Sequence, residues 1–457
     1  MRSLLVKNAH TIVTCDDFDS VFTNADLYAE DGVIVHVGAT RTHAIPQDAD
    51  TVIDATDQII YPGLVNAHHH MCQTFTRNLP QMQNLELFHW LTSLYEYWEN
   101  LDAEVMYYAS LAAMGELIKS GCTTCFDHNY AFPCGGKGFL EAEFNAASQL
   151  GERAALARGS MSLSRKNGGL PPESLVQTTE EILEDSRRCV EQFHDPSRFS
   201  MRQVVIAPCA PFNVTADLMK ESAALARSLN VRLHTHLAET IDEERYALEH
   251  VGMRPLAYMK SLGWLGEDVW FAHGIHFNDD ELDLLADTGT GVVHCPISNM
   301  KLSSGIARVT EMMQLGIPVG LGVDGSSSND GSNLLEEMRV GYLLHRLKES
   351  DHAPTGYDML RIATRGGAKV LGRNDIGRLE AGCAADFFMI DMKRIETVGA
   401  LADPMALLAT VGYRGAVDRT VVAGTTIMEH GRLCGIDEEE VAHKANDCWR
   451  RFLKKHE

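Results

Sequence analysis

A chain of 457 residues with 45% hydrophobic and 23% charged residues has the makeup of a globular protein with room for one large α/β domain and a smaller one. Its formal net charge of −23 repels phosphate backbones and anionic headgroups, and no apolar run reaches the roughly 18 residues of a membrane span, so neither a nucleic-acid polymer nor a membrane is expected as a partner. The 11 scattered cysteines and an N-terminus without signal-peptide texture point to reduced thiols and a cytoplasmic location.

Residues 1–60 alternate short apolar runs with turns (Leu4-Leu5-Val6, Thr11-Ile12-Val13-Thr14, Val33-Ile34-Val35), the pattern of a small antiparallel sheet. Residues 61–370 change to apolar strands alternating with amphipathic helices. The strands are predicted to end at His70, His128, Arg158, Pro208, His236, His273, Cys295 and Asp324. Eight such units predict a (β/α)₈ TIM-type barrel, whose active site lies at the C-terminal strand ends. A doubly wound sheet would want a GxGxxG turn between strand and helix, and none is present. Strand texture returns in residues 371–435, at Ala385 to Asp391 and Arg419 to Met428, so the chain ends are predicted to build one small composite β-sandwich domain together. Residues 436–457 read as a charged C-terminal helix. Cys122-Thr123-Thr124-Cys125 has CxxC spacing, but no second pair matches it and its neighbours read as a strand.

Polar residues gather at these strand ends. In Pro62-Gly63-Leu64-Val65-Asn66-Ala67-His68-His69-His70, strand alternation puts His68 and His70 on one face and His69 on the other. The same alternation pairs His234 with His236, of which His236 lies nearer the rim, and Glu239 follows in the next loop. His273 and Asp324 end later strands. Scattered structural histidines would not choose one rim. His68, His70, His236 and Asp324 together suit a borderline divalent cation such as Zn²⁺ with one position open.

These motifs, with the Gly377-to-Asp386 stretch near the end, make the chain resemble the amidohydrolase superfamily in its cytosine/guanine deaminase-like branch. The resemblance implies one divalent metal ion, Zn²⁺ or secondly Fe²⁺, on His68, His70, His236 and Asp324, with Glu239, His273 and Asp324 handling protons and developing charge. Relatives that open cyclic amides carry a bridging lysine at the end of strand four, where this chain reads Val204-Val205-Ile206-Ala207-Pro208. That difference favours one metal and deamination.

Within the branch, His68 to Arg77, Arg158 to Leu163 and Ala207 to Phe212 are similar to the 8-oxoguanine deaminases, a pattern largely shared with triazine hydrolases. The implied reaction is hydrolytic deamination of a small heterocyclic base by a metal-activated water, 8-oxoguanine giving urate and ammonia. Hydrolysis of a triazine and deamination of a pterin such as isoxanthopterin are the alternatives. A scaffold without activity would be expected to have lost a ligand or the general base, and none is missing. A homo-oligomer is expected.

For base recognition, Gln73 can donate and accept at once, and Arg158 could bind a carbonyl or an anionic ring. Their plainer roles are a helix start and an ion pair. Trp90 could close over the ring or belong to the core, and His128 could touch the pocket or orient a neighbour. Ser160, Asn299 and Asn329 are further rim candidates.

Overall fold

A computed structural model describes residues 2–39, 46 and 48–455. Eight parallel strands, Leu64–Asn66, Cys122–Asn129, Arg153–Ser160, Arg202–Pro208, Leu233–Leu237, Val269–His273, Gly291–His294 and Val319–Leu321, close into a barrel. Closure comes where the eighth strand pairs with the first, Leu321 opposite Asn66. Val65, Phe126, Ala155, Ala157, Val205, Ala207, Trp270 and Val293 form the inner core, in which alanines leave space for the two large rings. The residues between them on each strand pack against the surrounding helices, as the period of two requires.

The helices after strands three to six start on Thr178, Thr215, Thr240 and Asn278, each accepting an N–H of the first turn. Polar caps therefore stand at the same rim as the strand ends, because every strand hands over to its helix there.

The two chain ends share one mixed nine-stranded sheet. Ser3–Val13, Val21–Glu30, Val33–Ala39, Thr51–Asp54 and Gln58–Pro62 join Phe387–Asp391, Arg419–Val422, Thr425–Glu429 and Arg432–Leu433, with Gln58–Pro62 paired to Phe387–Asp391 at the seam. The sheet curls back on itself: the Ile34 N–H donates to Cys383 O and the Ala385 N–H to Gly32 O, both at 2.8 Å. A second apolar core, including Leu4, Val6, Leu27, Ile60, Phe387 and Val421, fills the fold. Arg153 of the third barrel strand clasps this domain through Asp386, Nε to Oδ2 at 2.6 Å and Nη2 to Oδ1 at 3.1 Å, with both residues buried.

The last helix, Glu438–Lys454, packs on Ala103–Lys119, and its Trp449 Nε1–H donates to Phe75 O at 3.1 Å, just below the active rim. Among the described residues no helix is long and apolar enough to cross a membrane. All 11 cysteines are free thiols, and Cys122 and Cys125 lie buried on the second barrel strand.

Candidate active site

Hydrogen bonds to backbone carbonyls set the proton on each imidazole at the rim. A carbonyl only accepts, so His70 Nδ1, 2.7 Å from His128 O, carries a hydrogen, as does His236 Nδ1, 2.6 Å from Cys209 O. His68 is set through one more ring. His234 Nδ1 donates to Trp270 O at 3.0 Å, which leaves His234 Nε2 to accept from His68 Nδ1 at 2.9 Å. The Nε2 lone pairs of His68, His70 and His236 are then all bare. They face one another: His70 Nε2 stands 3.0 Å from His236 Nε2, and Asp324 Oδ1 lies 3.4 Å from His68 Nε2 and 3.2 Å from His70 Nε2.

Three neutral lone pairs and a carboxylate have no hydrogen to share; burial opposes a proton on His70, and the Asp324 carboxylate beside it nonetheless holds that imidazole above its usual range. His68 Nε2 is buried with no partner, and burial pushes that imidazole down to about 3, so the neutral, ligating form prevails. A divalent cation is what this donor set fits, and the carbonyls and His234 behind the rings orient them for it.

Asp324 lies three residues past the end of the eighth strand, in the left-handed region at φ 61°. Its Oδ2 accepts from Ser298 Oγ at 2.5 Å and Ser328 Oγ at 3.3 Å, and its Oδ1 accepts the Gly325 N–H at 2.6 Å. Two glycines make this approach possible. A Cβ on Gly322 would meet His68 Cβ at 2.7 Å, and one on Gly325 would lie 1.9 Å from Gln73 Oε1. Gln73 thus packs flat on the Asp324 loop, its Oε1 accepting the Ser327 N–H at 3.3 Å, and it lines the cavity.

Glu239 and His273 stand beside the ligand set. His273 Nε2 lies 3.5 Å from Glu239 Oε2 and 3.9 Å from Asp324 Oδ2, while Ser304 Oγ donates to Glu239 Oε1 at 3.3 Å. Burial, and then the Asp324 charge, push the Glu239 carboxyl up to about 8 from an ordinary 4.5. His273 Nδ1 meets the Asn299 amide at 2.9 Å. Either orientation of that amide is chemically possible: Oδ1 there leaves Nε2 as an acceptor, whereas Nδ2 there leaves Nε2–H as a donor.

A narrow cavity opens over these groups. His70, Gln73, His236, Glu239, His273 and Asp324 form its polar floor, and Leu87, Trp90, Leu91, Tyr130, Phe212 and Leu302 supply most of the wall. Among the described residues lining it none is Lys or Arg.

Arg158 does not reach the cavity, which corrects the expectation that it could bind substrate. Ala155 and Ala157 face the barrel interior, so Arg158 faces out. There its Nε pairs with Asp185 Oδ2 and its Nη2 with Gln177 Oε1, both at 2.8 Å, and its guanidinium covers the Phe132 ring at 4.1 Å. Trp90 lines the wall with its Nε1 buried and unpartnered. His128 lies beneath the floor, stacked on His236 at 4.8 Å between ring centres, and its Nε2 donates to Ala207 O at 2.7 Å. His69 turns away to Ser332 Oγ at 3.0 Å. Asn299 sits behind His273, and Asn329 bonds to Val323 O and Glu337 under the Asp324 loop. Ser160 is buried on strand three outside the cavity lining.

Sequence reasoning missed Leu87, Leu91, Tyr130, Phe212 and Leu302. Leu87 and Leu91 share one helix with Trp90 and show only the spacing of an ordinary core face, while Tyr130, Phe212 and Leu302 come from three other connections, where no periodicity marks a wall residue.

A model of the amidohydrolase family matches residues 59–427. The chain is 43% identical over 438 residues to an 8-oxoguanine deaminase of Pseudomonas aeruginosa, covering 96% of each chain. It is 39% identical over 465 residues to a hydroxydechloroatrazine ethylaminohydrolase of Pseudomonas sp. strain ADP, covering 99% of this chain and 96% of that one. Among solved structures it is similar to the atrazine chlorohydrolase of Arthrobacter aurescens TC1 complexed with zinc, with a TM-score of 0.93 and 29% identity over 98% of this chain and 100% of that one.

Proposed function

The chain belongs to the amidohydrolase family, and we propose that it is a hydrolytic deaminase of a small amino-substituted heterocyclic base, 8-oxoguanine foremost, releasing urate and ammonia. The observation that carries this reading is the Glu239 carboxyl, buried against His273 and Asp324 beside three bare imidazole lone pairs. A carboxyl in that place can take a proton from a water held by the ligand set and return it to the substrate, as a base that becomes an acid within one cycle must.

His68, His70, His236 and Asp324 would hold one divalent cation, Zn²⁺ in this proposal, and strand four offers no lysine to bridge a second. When bound, that cation supplies Lewis acidity and makes water a nucleophile near neutral pH. The rest falls to the chain's own residues. Glu239 takes a proton from the attacking water and passes it to a ring nitrogen, which weakens the aromatic resistance to attack at the amino-bearing carbon. His273, with Asn299 turned to donate to Nδ1, presents Nε2–H to the oxygen as negative charge gathers there. Asp324, held by the Ser298 and Ser328 hydroxyls, passes the second proton to the departing amine. The new C–O bond comes from water and the C–N bond breaks; the proton delivered by Glu239 stays on the ring nitrogen, and the amino group leaves as ammonia with the one delivered by Asp324.

The wall argues for a neutral planar base. Leu87, Trp90, Leu91 and Phe212 exclude bulk water from a ring, and among the described residues lining the cavity no Lys or Arg side chain is offered to a phosphate or carboxylate. The same groups could hydrolyse an amine or chloride from a triazine, a second reading favoured by the similarity to the ethylaminohydrolase and the atrazine chlorohydrolase.

The test is to incubate metal-replete protein with 8-oxoguanine, guanine, isoxanthopterin and hydroxyatrazine, following each ring's absorbance and ammonia or amine release. Turnover of 8-oxoguanine above the rest is expected, and no turnover of any amino-heterocycle overturns the deaminase reading. Glu239→Gln is expected to lower kcat/KM roughly a hundred- to ten-thousandfold while metal content stays.

A further inference from the structure

We propose that Glu243 is a positioning residue, fixing the backbone that carries Glu239 so that its carboxyl stays at the reacting carbon. This rests on the deaminase reading, in which Glu239 moves the protons. Glu239 is not on a strand. The fifth strand ends at Leu237, and Ala238 between them takes φ 54°, a conformation that disfavours any residue with a Cβ. A proton carrier on a strained loop needs something to hold the turn.

The Glu243 carboxylate does so with both oxygens. Its Oε1 accepts the Ala238 N–H at 3.0 Å and its Oε2 the Glu239 N–H at 2.8 Å, and the residue is 1% exposed. The chain itself shows that this is not ordinary helix capping. At Thr178, Asn278 and Thr355 the acidic residue three positions on returns to the N–H of the cap residue: Glu181, Glu281 and Asp358. Glu243 holds the same position after Thr240, whose Oγ1 takes the Glu243 N–H at 3.3 Å. Its carboxylate instead reaches past the cap into the turn. A buried carboxylate is expensive to desolvate, and here its lone pairs go to the peptides on either side of the strained residue. From the other side, the Ile275 and His276 N–H groups bind Ala238 O at 2.9 and 3.0 Å, linking this turn to the one after His273.

Glu243→Gln keeps the shape but gives one of the two amides a donor to face. The expected result is a fall in kcat of about ten- to a hundredfold, with KM and bound metal unchanged, since a displacement near 1 Å at a reacting group has that scale. The decisive readout is a double-mutant cycle. If Glu243 acts through Glu239, adding Glu243→Gln to the Glu239→Gln enzyme changes kcat by less than about twofold, because the pair is non-additive. A general loss of folding would cost the same factor in both backgrounds, and that result overturns the proposal, as does a Glu243→Gln enzyme with the parent kcat. If Glu243→Gln fails to fold, Glu243→Asp, which keeps the charge but draws the carboxylate back by one methylene, is taken through the same cycle. Full activity of Glu239→Gln alone would instead remove the deaminase mechanism, so the two failures are distinguishable.

Discussion

His273 and His294 end neighbouring strands of the barrel, yet only His273 reaches the cavity. On strand seven Val293 faces the interior, so His294 faces the outer helices, where its Nε2 lies 3.3 Å from His345 Nε2 and that ring bonds on to Glu349. On strand six Trp270 faces the interior, and simple alternation would send Phe271 and His273 outward together. Phe271 goes that way, into the core shared with the helices. His273 does not, because its backbone turns to φ 72° and Gly274 follows at 55°. The histidine that reaches the cavity is the one at which the strand geometry is broken, as strained backbone at working sites commonly is. Arg158 makes the same contrast on strand three, where alternation holds and the side chain is structural.

The contrast is broken most severely from the inward side. Removing the metal with a chelator, or replacing His236 by Ala, is expected to take turnover to the uncatalysed background, with recovery on metal addition only in the unmutated protein; metal analysis alongside the assay checks it. One layer further in, His234→Ala leaves all four proposed ligands but frees the His68 ring, so metal affinity is expected to fall roughly 10- to 100-fold, read by competition with a chromophoric chelator. On the outward side, Arg158→Met is expected to leave kcat and KM unchanged while costing about 1–3 kcal/mol of stability, because Asp185 and Gln177 lose their charged donor. A raised KM for Arg158→Met would return that residue to the substrate.

The smallest effect is on pH dependence. Folding raises the Glu239 carboxyl from 4.5 to about 8, so between those values the folded state binds the extra proton. Its contribution to the stability of the metal-free protein is complete below about 4.5 and is lost as pH rises through about 8. Glu239→Gln should flatten that part of the denaturation profile without metal.

Much of the site was legible because ligand chemistry and strand alternation are both local. His234 and His236 share parity on the fifth strand, and the His-x-x-Glu spacing puts Glu239 just beyond it; the first strand ends at Asn66, so His68 and His70 reach the cavity from the segment after it and not by strand alternation. The eight strands showed as apolar runs, four of them closed by a potential ligand or acid/base group. Arg158 was misplaced although its neighbours Ala155 and Ala157 were in view. Alternation says which residues share a face, and only closure of the sheet says which face is inside. The cavity wall was illegible for a different reason. Leu87 and Leu91 lie on one helix and Phe212 and Leu302 in two other connections, and an apolar residue on a helix face or in a loop looks the same whether it covers a ligand or a core.

The sequence by itself determined the family, the barrel, the joining of the two chain ends in one β domain and the polar residues available at the rim, all of which follow from short-range pattern and residue chemistry. The tertiary structure decided the protons and the directions. His68 is set for a cation because His234 and the Trp270 carbonyl stand behind it, from strands far along the chain. His273 enters the cavity through a left-handed turn, and Glu239 is held there by a carboxylate that bypasses its own helix cap. These depend on which groups meet after the barrel closes, and hydrogen bonding between distant segments leaves no periodic trace in a sequence.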